Sequence, residues 1–132
     1  MIIDDKLIAE ITEKAWASER KRMNFNLHES LDAKAQRLLN VLLPGTVLPV
    51  HRHRHTAETY ILLSGKLNVV FYDDAGKELE RFHLDPRDCN FGVHIPKGQW
   101  HGIEVLEPAT IFEVKDGPYI PTAPEDMLVL PD

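Results

Sequence analysis

Gly45-Thr46-Val47-Leu48-Pro49-Val50-His51-Arg52-His53-Arg54-His55-Thr56-Ala57-Glu58-Thr59-Tyr60-Ile61-Leu62-Leu63-Ser64-Gly65 is the stretch on which the reading of this chain turns. In an extended strand alternate side chains share a face, so His51 and His53 offer two imidazoles to one point in space. Glu58 opens the β-branched and aromatic run Glu58–Leu63, which reads as the next strand. A turn over Arg54–Ala57 then brings its carboxylate back towards the two histidines. Two His and one carboxylate suit a divalent transition metal ion, Fe(II), Mn(II), Ni(II) or Zn(II). His55 has the same parity but sits where the strand must turn. It is either a further ligand or an exposed or outer neighbour of the ligand set.

Downstream, Ile95-Pro96-Lys97-Gly98-Gln99-Trp100-His101 reads as strand, tight turn, strand, with Pro96 and Gly98 setting the turn and His101 heading the returning strand. With that strand beside the one carrying His51 and His53, His101 completes a set of three His and one Glu. Such a set leaves coordination positions open for water or substrate, which separates a working metal from a structural one.

The rest of the chain supplies a frame for these two segments. Met1 to about Ser18 is an expected helix, with Leu7, Ile8, Ile11 and Ala15 on one face and Asp4 or Asp5 as its cap, packed against a barrel. The basic cluster Arg20-Lys21-Arg22 reads as a solvated face or a partner of the helix C-terminus. From Asn24 onward the texture changes to about eight to ten short apolar runs separated by Pro, Gly and Asp, the pattern of a small all-β sandwich or barrel. Expected strands are 24–27, 37–43, 46–50, 58–63, 66–72, 77–83, 91–95, 101–105 and 110–115. Asp73-Asp74-Ala75-Gly76 is a hairpin signal, and Asp85-Pro86 closes the strand that follows it. After Gly117 come Pro118, Pro121, Pro124 and Pro131, which predict an extended, mostly irregular cover over one mouth of the barrel. The reading is one domain over 1–132: a helical segment 1–22, a β-barrel 24–116 and a tail 117–132.

The residues from Gly45 to Gly65 match the first motif of the cupin superfamily at each defined position. The second motif is matched by Pro96, Gly98 and His101, whereas Asn90 stands where a Gly is expected, with Gly92 nearby, and Val105 where an Asn is expected. Those departures remove no ligand and point to a divergent branch. Asn26-Leu27-His28, Gln36-Arg37-Leu38-Leu39-Asn40 and Glu113-Val114-Lys115-Asp116-Gly117-Pro118-Tyr119 resemble the WbuC-type cupin-fold metalloproteins, a likeness that covers nearly the whole chain. The resemblance implies a mainly β fold, the cupin β-barrel (jelly roll, double-stranded β-helix) with an N-terminal helix. It also implies a bacterial metal-binding protein associated with O-antigen or other surface-polysaccharide biosynthesis, without a settled reaction, and a homodimer by analogy with cupins generally.

Other polar residues are candidates for the same pocket. Tyr60 and Leu62 share parity with Glu58, so Tyr60 either hydrogen-bonds a substrate or fills core with its hydroxyl satisfied at the rim. Glu113 and Lys115 share the face opposite Phe112 and Val114. As a buried pair they are acid–base candidates, and as a surface pair a plain ion pair. Tyr60, Glu113 and Lys115 are the expected proton-transfer residues. Asn26, His28, Arg37, Arg81, His83 and His94 are further candidates for the lining. Trp100, next to a ligand, is expected to face away and pack. Cys89, with no base beside it in sequence, is not read as a nucleophile.

Composition bounds the partners. Fifteen Lys plus Arg against 21 Asp plus Glu give a formal net charge of −6, which argues against non-specific nucleic-acid binding and leaves a small molecule as the favoured partner. The single cysteine forbids an internal disulfide, and no apolar run has signal-peptide or membrane length, so a cytoplasmic protein is expected. The leading functional expectation is a metal-dependent enzyme, of isomerase, epimerase or dioxygenase type, acting on a small polar or carbohydrate-derived molecule. A non-catalytic, metal-assisted sugar-binding or sensing module is the second. A metal-free epimerase is the third, disfavoured because all four ligand positions are kept.

Overall fold

The computed structural model describes residues 1–130; Pro131, counted above with the tail, lies outside them. The chain folds as α1 (Asp5–Ala17), β1 (Arg22–Asn26), β2 (Ala35–Leu42), β3 (Val50–His51), β4 (Glu58–Tyr72), β5 (Glu78–Leu84), β6 (Gly92–Ile95), β7 (Trp100–Asp116) and β8 (Met127–Leu128). Every pairing is antiparallel. The ladder runs β1-β2-β7-β3-β8, with β4 joined to β7 and carrying β5 and β6. It is an open, strongly folded sheet rather than a ring of hydrogen bonds. No helix among the described residues is long and apolar enough to cross a membrane.

Helix α1 starts where Asp4 Oδ1 accepts the Leu7 backbone N–H at 3.0 Å. Its apolar stripe, Ile11 and Ala15 with Leu7 beside them, packs on Leu39, Val41 and Leu43 and on Met23 and Phe25 of β1. Strand alternation does the rest: the odd residues of β2 face the helix, while Leu38 and Leu42 are buried on the opposite, inner side. There Leu42, Leu62, Leu67, Val69, Ile95 and Ile111 build the main core.

Two expected strand pairs are in fact single long strands. Residues 58–63 and 66–72 are one strand, β4, and 101–105 and 110–115 are one strand, β7. Register slips between Leu62 and Leu67 let β4 bend without ending. Gly65 sits at the bend with φ +91°, where a Cβ would lie 2.1 Å from the Pro108 carbonyl oxygen. Of the expected strand 46–50 only Val50 is in the sheet, since Pro44 and Pro49 have no N–H to donate. The hairpin at Asp73–Gly76 forms as expected, with Asp73 Oδ1 accepting from Ala75 and Lys77 N–H, both at 2.9 Å.

The described part of the tail is mostly irregular but anchored at several points. The Tyr119 N–H donates to the Leu31 carbonyl at 2.7 Å, and β8 pairs with β3, extending the sheet past His51. Asp126 accepts from both Arg52 Nε (2.9 Å) and Arg54 Nε (2.6 Å).

Candidate metal centre

Three pieces of chain meet at one point. β3 carries His51, the segment after it carries His53, β4 begins at Glu58, and β7 presents His101 directly opposite His51 in register. The turn before β7 is tied to the histidine segment, because the Gly98 N–H donates to the His53 carbonyl at 2.7 Å. One donor atom from each of His51, His53, Glu58 and His101 falls in a cluster whose members all lie within 4.8 Å of one another.

Their orientation favours coordination. His51 Nδ1 lies 3.0 Å from the Pro49 carbonyl oxygen and His101 Nδ1 lies 3.0 Å from that of Gln99. Each Nδ1–H donates to a backbone oxygen, which leaves each Nε2 lone pair aimed into the cluster. Glu58 Oε1 sits 2.8 Å from His101 Nε2 and 3.5 Å from His53 Nε2, and accepts the Tyr60 hydroxyl at 2.8 Å. Glu58 and His101 are almost fully buried. Yet Glu58 Oε2 and His101 Nε2 have no aligned hydrogen-bond partner among the described residues, a costly arrangement for bare polar atoms. The 2.8 Å approach of His101 Nε2 to Glu58 Oε1 brings these two atoms towards a common point. Three imidazoles and one carboxylate suit a divalent transition metal, and these residues fit one.

The electrostatics agree. Burial, and then the neighbouring His101, lower the His51 pKa to about 4, so that its imidazole is neutral and available as a ligand. Burial works to raise the Glu58 carboxyl, but His101 and His53 beside it outweigh that and hold it well below the usual range. Burial, with Glu58 and Glu113 adding, pushes the Tyr60 phenol well above its usual value, so it remains a hydrogen-bond donor.

The cluster opens into a cavity of about 490 Å³, lined on this side by His51, His53, Glu58, Tyr60, Glu113 and Lys115. Burial and Glu58 together raise the Glu113 carboxyl to about 7 against the pull of Lys115, whose Nζ lies 3.7 Å from Glu113 Oε2. Asn26 and His28 line the same cavity. Four other candidates do not. Arg37 is exposed, Arg81 is bound to Glu78 and Glu104, His83 Nδ1 is 2.7 Å from Asn68 Oδ1, and His94 Nδ1 is 2.9 Å from Thr59 Oγ1. Thr59 has the opposite parity to Glu58, so its partner His94 lies on the outer face. His55 is exposed and stands outside the four converging residues; it lines a cavity of about 240 Å³ with Arg54 and Tyr119 that adjoins the larger one through His53 and Lys115. Trp100 is buried, donates to Asp74 Oδ1 at 2.8 Å and has the Arg52 guanidinium 4.3 Å from its ring centre. Cys89 is exposed.

Part of the lining was not expected. Arg20 and Arg22, read as a solvated face, line the cavity, as do Asn24 and Asn40. The available signal was parity: Arg22, Asn24 and Asn26 alternate with Met23 and Phe25, which pack towards the helix. Only Lys21, at φ +55°, is turned away, over Gly45.

Comparison with solved structures places the fold. The capsular polysaccharide assembling protein CapF from Staphylococcus aureus superposes with a TM-score of 0.68 at 22% identity, over 86% of this chain and 30% of CapF. TT1209 from Thermus thermophilus gives 0.64 at 24% identity, over 87% and 95%. The Schizosaccharomyces pombe Cnp3 cupin domain gives 0.59 at 14% identity, over 74% and 66%. The chain thus spans about a third of the length of CapF, and at these identities the likeness establishes the cupin fold alone. Comparison with curated proteins found no match. Residues 3–84, more than half of the chain, match the family described as domain of unknown function DUF6016, and the chain belongs to that family.

Proposed function

We propose that this chain is a single-domain, metal-dependent cupin enzyme of the WbuC type. It binds one divalent transition metal ion, Fe, Mn, Ni or Zn, through His51, His53, Glu58 and His101. The observation that carries the reading is the convergence of those four donors, two of them buried without aligned partners, at the wall of a sugar-sized cavity. Its substrate is a small polar, carbohydrate-derived molecule. Surface-polysaccharide biosynthesis is the supported setting, from the WbuC-type motifs and from the fold shared with a capsular polysaccharide assembling protein. A cytoplasmic homodimer is the corresponding state of the protein.

Within the cavity the chain's own groups divide the work. Tyr60 orients Glu58 through its hydroxyl. Glu113, pushed up to about 7, is close to half-protonated near neutral pH and can hold or release a proton at its carboxyl, with Lys115 beside it as the compensating charge. The buried wall of Leu38 and Tyr60 limits access of water from the core side. When bound, a divalent ion supplies Lewis-acid polarisation of a substrate oxygen or, as iron, chemistry with dioxygen.

Elemental analysis of untagged protein tests the reading, with one equivalent of metal per chain expected as purified or after reconstitution. Protein that holds no stoichiometric metal and takes none up would sink it. Metal-dependent binding of a sugar without turnover would instead assign a sugar-binding or sensing module.

A further inference from the structure

Strand β1 carries its polarity on the wrong side for an ordinary edge strand. Its outward residues Met23 and Phe25 are apolar and packed against the helix layer, whereas Arg22, Asn24 and Asn26 all line the cavity, where a barrel strand ordinarily places core. Asn40, the register partner of Asn24 on β2, continues this polar wall. Two atoms in the wall are buried and unpartnered. One is Asn40 Oδ1. The other is His28 Nε2, left over because Nδ1 is engaged with the Arg37 backbone at 3.0–3.1 Å. At one end of the wall stand two cations. Arg22 Nη1 is held by Thr46 Oγ1 and the Val47 carbonyl, each at 3.2 Å, so its remaining N–H groups are pre-positioned. Neither Arg20 nor Arg22 is paired with a carboxylate among the described residues. In a chain of net charge −6 these two neighbouring arginines are left free of carboxylate partners among the described residues, and their N–H groups suit a carboxylate or phosphate.

We propose that the cavity is a binding site for an anionic sugar, whose carboxylate or phosphate is seated on Arg20 and Arg22 while its hydroxyls are held by Asn24, Asn26, Asn40 and His28. The remaining end of the ligand reaches the four-donor cluster, and in that part the inference rests on the metal-centre reading. Asn and His side chains both donate and accept, which matches hydroxyls. Arginine N–H groups only donate, which matches an anion.

Calorimetric titration with D-galacturonate, D-galactose 1-phosphate and neutral D-galactose, on metal-loaded and chelator-stripped protein at low ionic strength, tests this. At least one anionic probe is expected to bind roughly tenfold more tightly than galactose. Preference for the acid or for the phosphate identifies the anion. Arg20→Gln and Arg22→Gln are each expected to erase most of that preference while leaving galactose affinity and metal content unchanged. Arg20 is exposed and makes no side-chain contact that holds the fold, so it serves if Arg22→Gln misfolds. Equal binding of the three probes, binding of none, or an equal loss of galactose in the arginine variants would overturn the proposal. Anion preference in protein that never takes up metal would leave it standing and remove the metal reading alone.

Discussion

His51 and His101 are register partners across β3 and β7, with ring centres 4.4 Å apart and each Nδ1 on a backbone carbonyl. Two separate sequence motifs are thereby joined by a single rung of the sheet, and each ring reaches the cluster with its tautomer already chosen. His101→Gln removes one imidazole without emptying its buried site. It is expected to weaken metal binding by more than the roughly 10–100-fold typical of losing an orienting partner, with the far-UV circular dichroism retained. His55→Ala is expected to keep full metal content, because His55 stands outside the cluster. Elemental analysis of both variants after dialysis against a weak chelator checks the pair.

Tyr60 donates to the same oxygen of Glu58 that approaches His101. Tyr60→Phe keeps the ring in the core and deletes only this donor. The expected result is a loss of metal affinity of roughly tenfold, against a change of about 1 kcal/mol in the stability of the metal-free protein. Competition with a fluorescent chelator, alongside urea unfolding, separates the two effects. Equal metal affinity in both proteins would reduce Tyr60 to core packing.

Much of the centre was legible because coordination leaves local marks: alternate histidines on a strand, a carboxylate after a turn, and a histidine after a Pro–Gly turn. The opposite wall was not, because a polar alternation such as Arg22, Asn24 and Asn26 reads the same whether that face meets solvent or a polar cavity. Only the helix packed on Met23 and Phe25 decides which. Strand continuity failed for a related reason. Gly65 and Pro108 look like punctuation, yet here they mark where β4 and β7 bend past each other without breaking. β8 was invisible because its two residues gain their strand character from pairing with β3 alone.

That bend can be tested directly. A methyl group at Gly65 meets the Pro108 carbonyl oxygen at 2.1 Å and the Ala109 Cα at 2.6 Å, backbone atoms that cannot rotate away. Gly65→Ala is expected to cost more than about 4 kcal/mol or to prevent folding. Gly98 has a similar φ of +82°, but no atom lies within 4 Å of the place its methyl group would take. Gly98→Ala therefore carries only the left-handed backbone penalty of about 1–2 kcal/mol. Urea unfolding of the two variants should rank them in that order by a wide margin.

Glu113 makes the stability of the metal-free protein depend on pH in a direction that can be worked out. Its carboxyl is raised from 4.5 to about 7 by burial and by Glu58, so the native state holds this proton more tightly than the unfolded chain does. The contribution is fully present below pH 4.5 and is lost as pH rises through about 7. At ~1.4 kcal/mol per factor of ten in proton affinity, the loss is on the order of 3 kcal/mol. His51 acts in the opposite sense. Lowered from 6.5 to about 4, it contributes stability above 6.5 that is lost as pH falls through about 4. The two offset each other between pH 4.5 and 6.5, and only Glu113 acts above that. Glu113→Gln removes the first contribution and leaves the second. The variant is therefore expected to gain stability relative to the parent as pH rises from about 4.5 to about 7, most steeply midway between those values, and to level off above 7. Urea unfolding of both chelator-stripped proteins across that range measures it, and a difference that stays flat with pH would show that Glu113 titrates as an ordinary carboxylate.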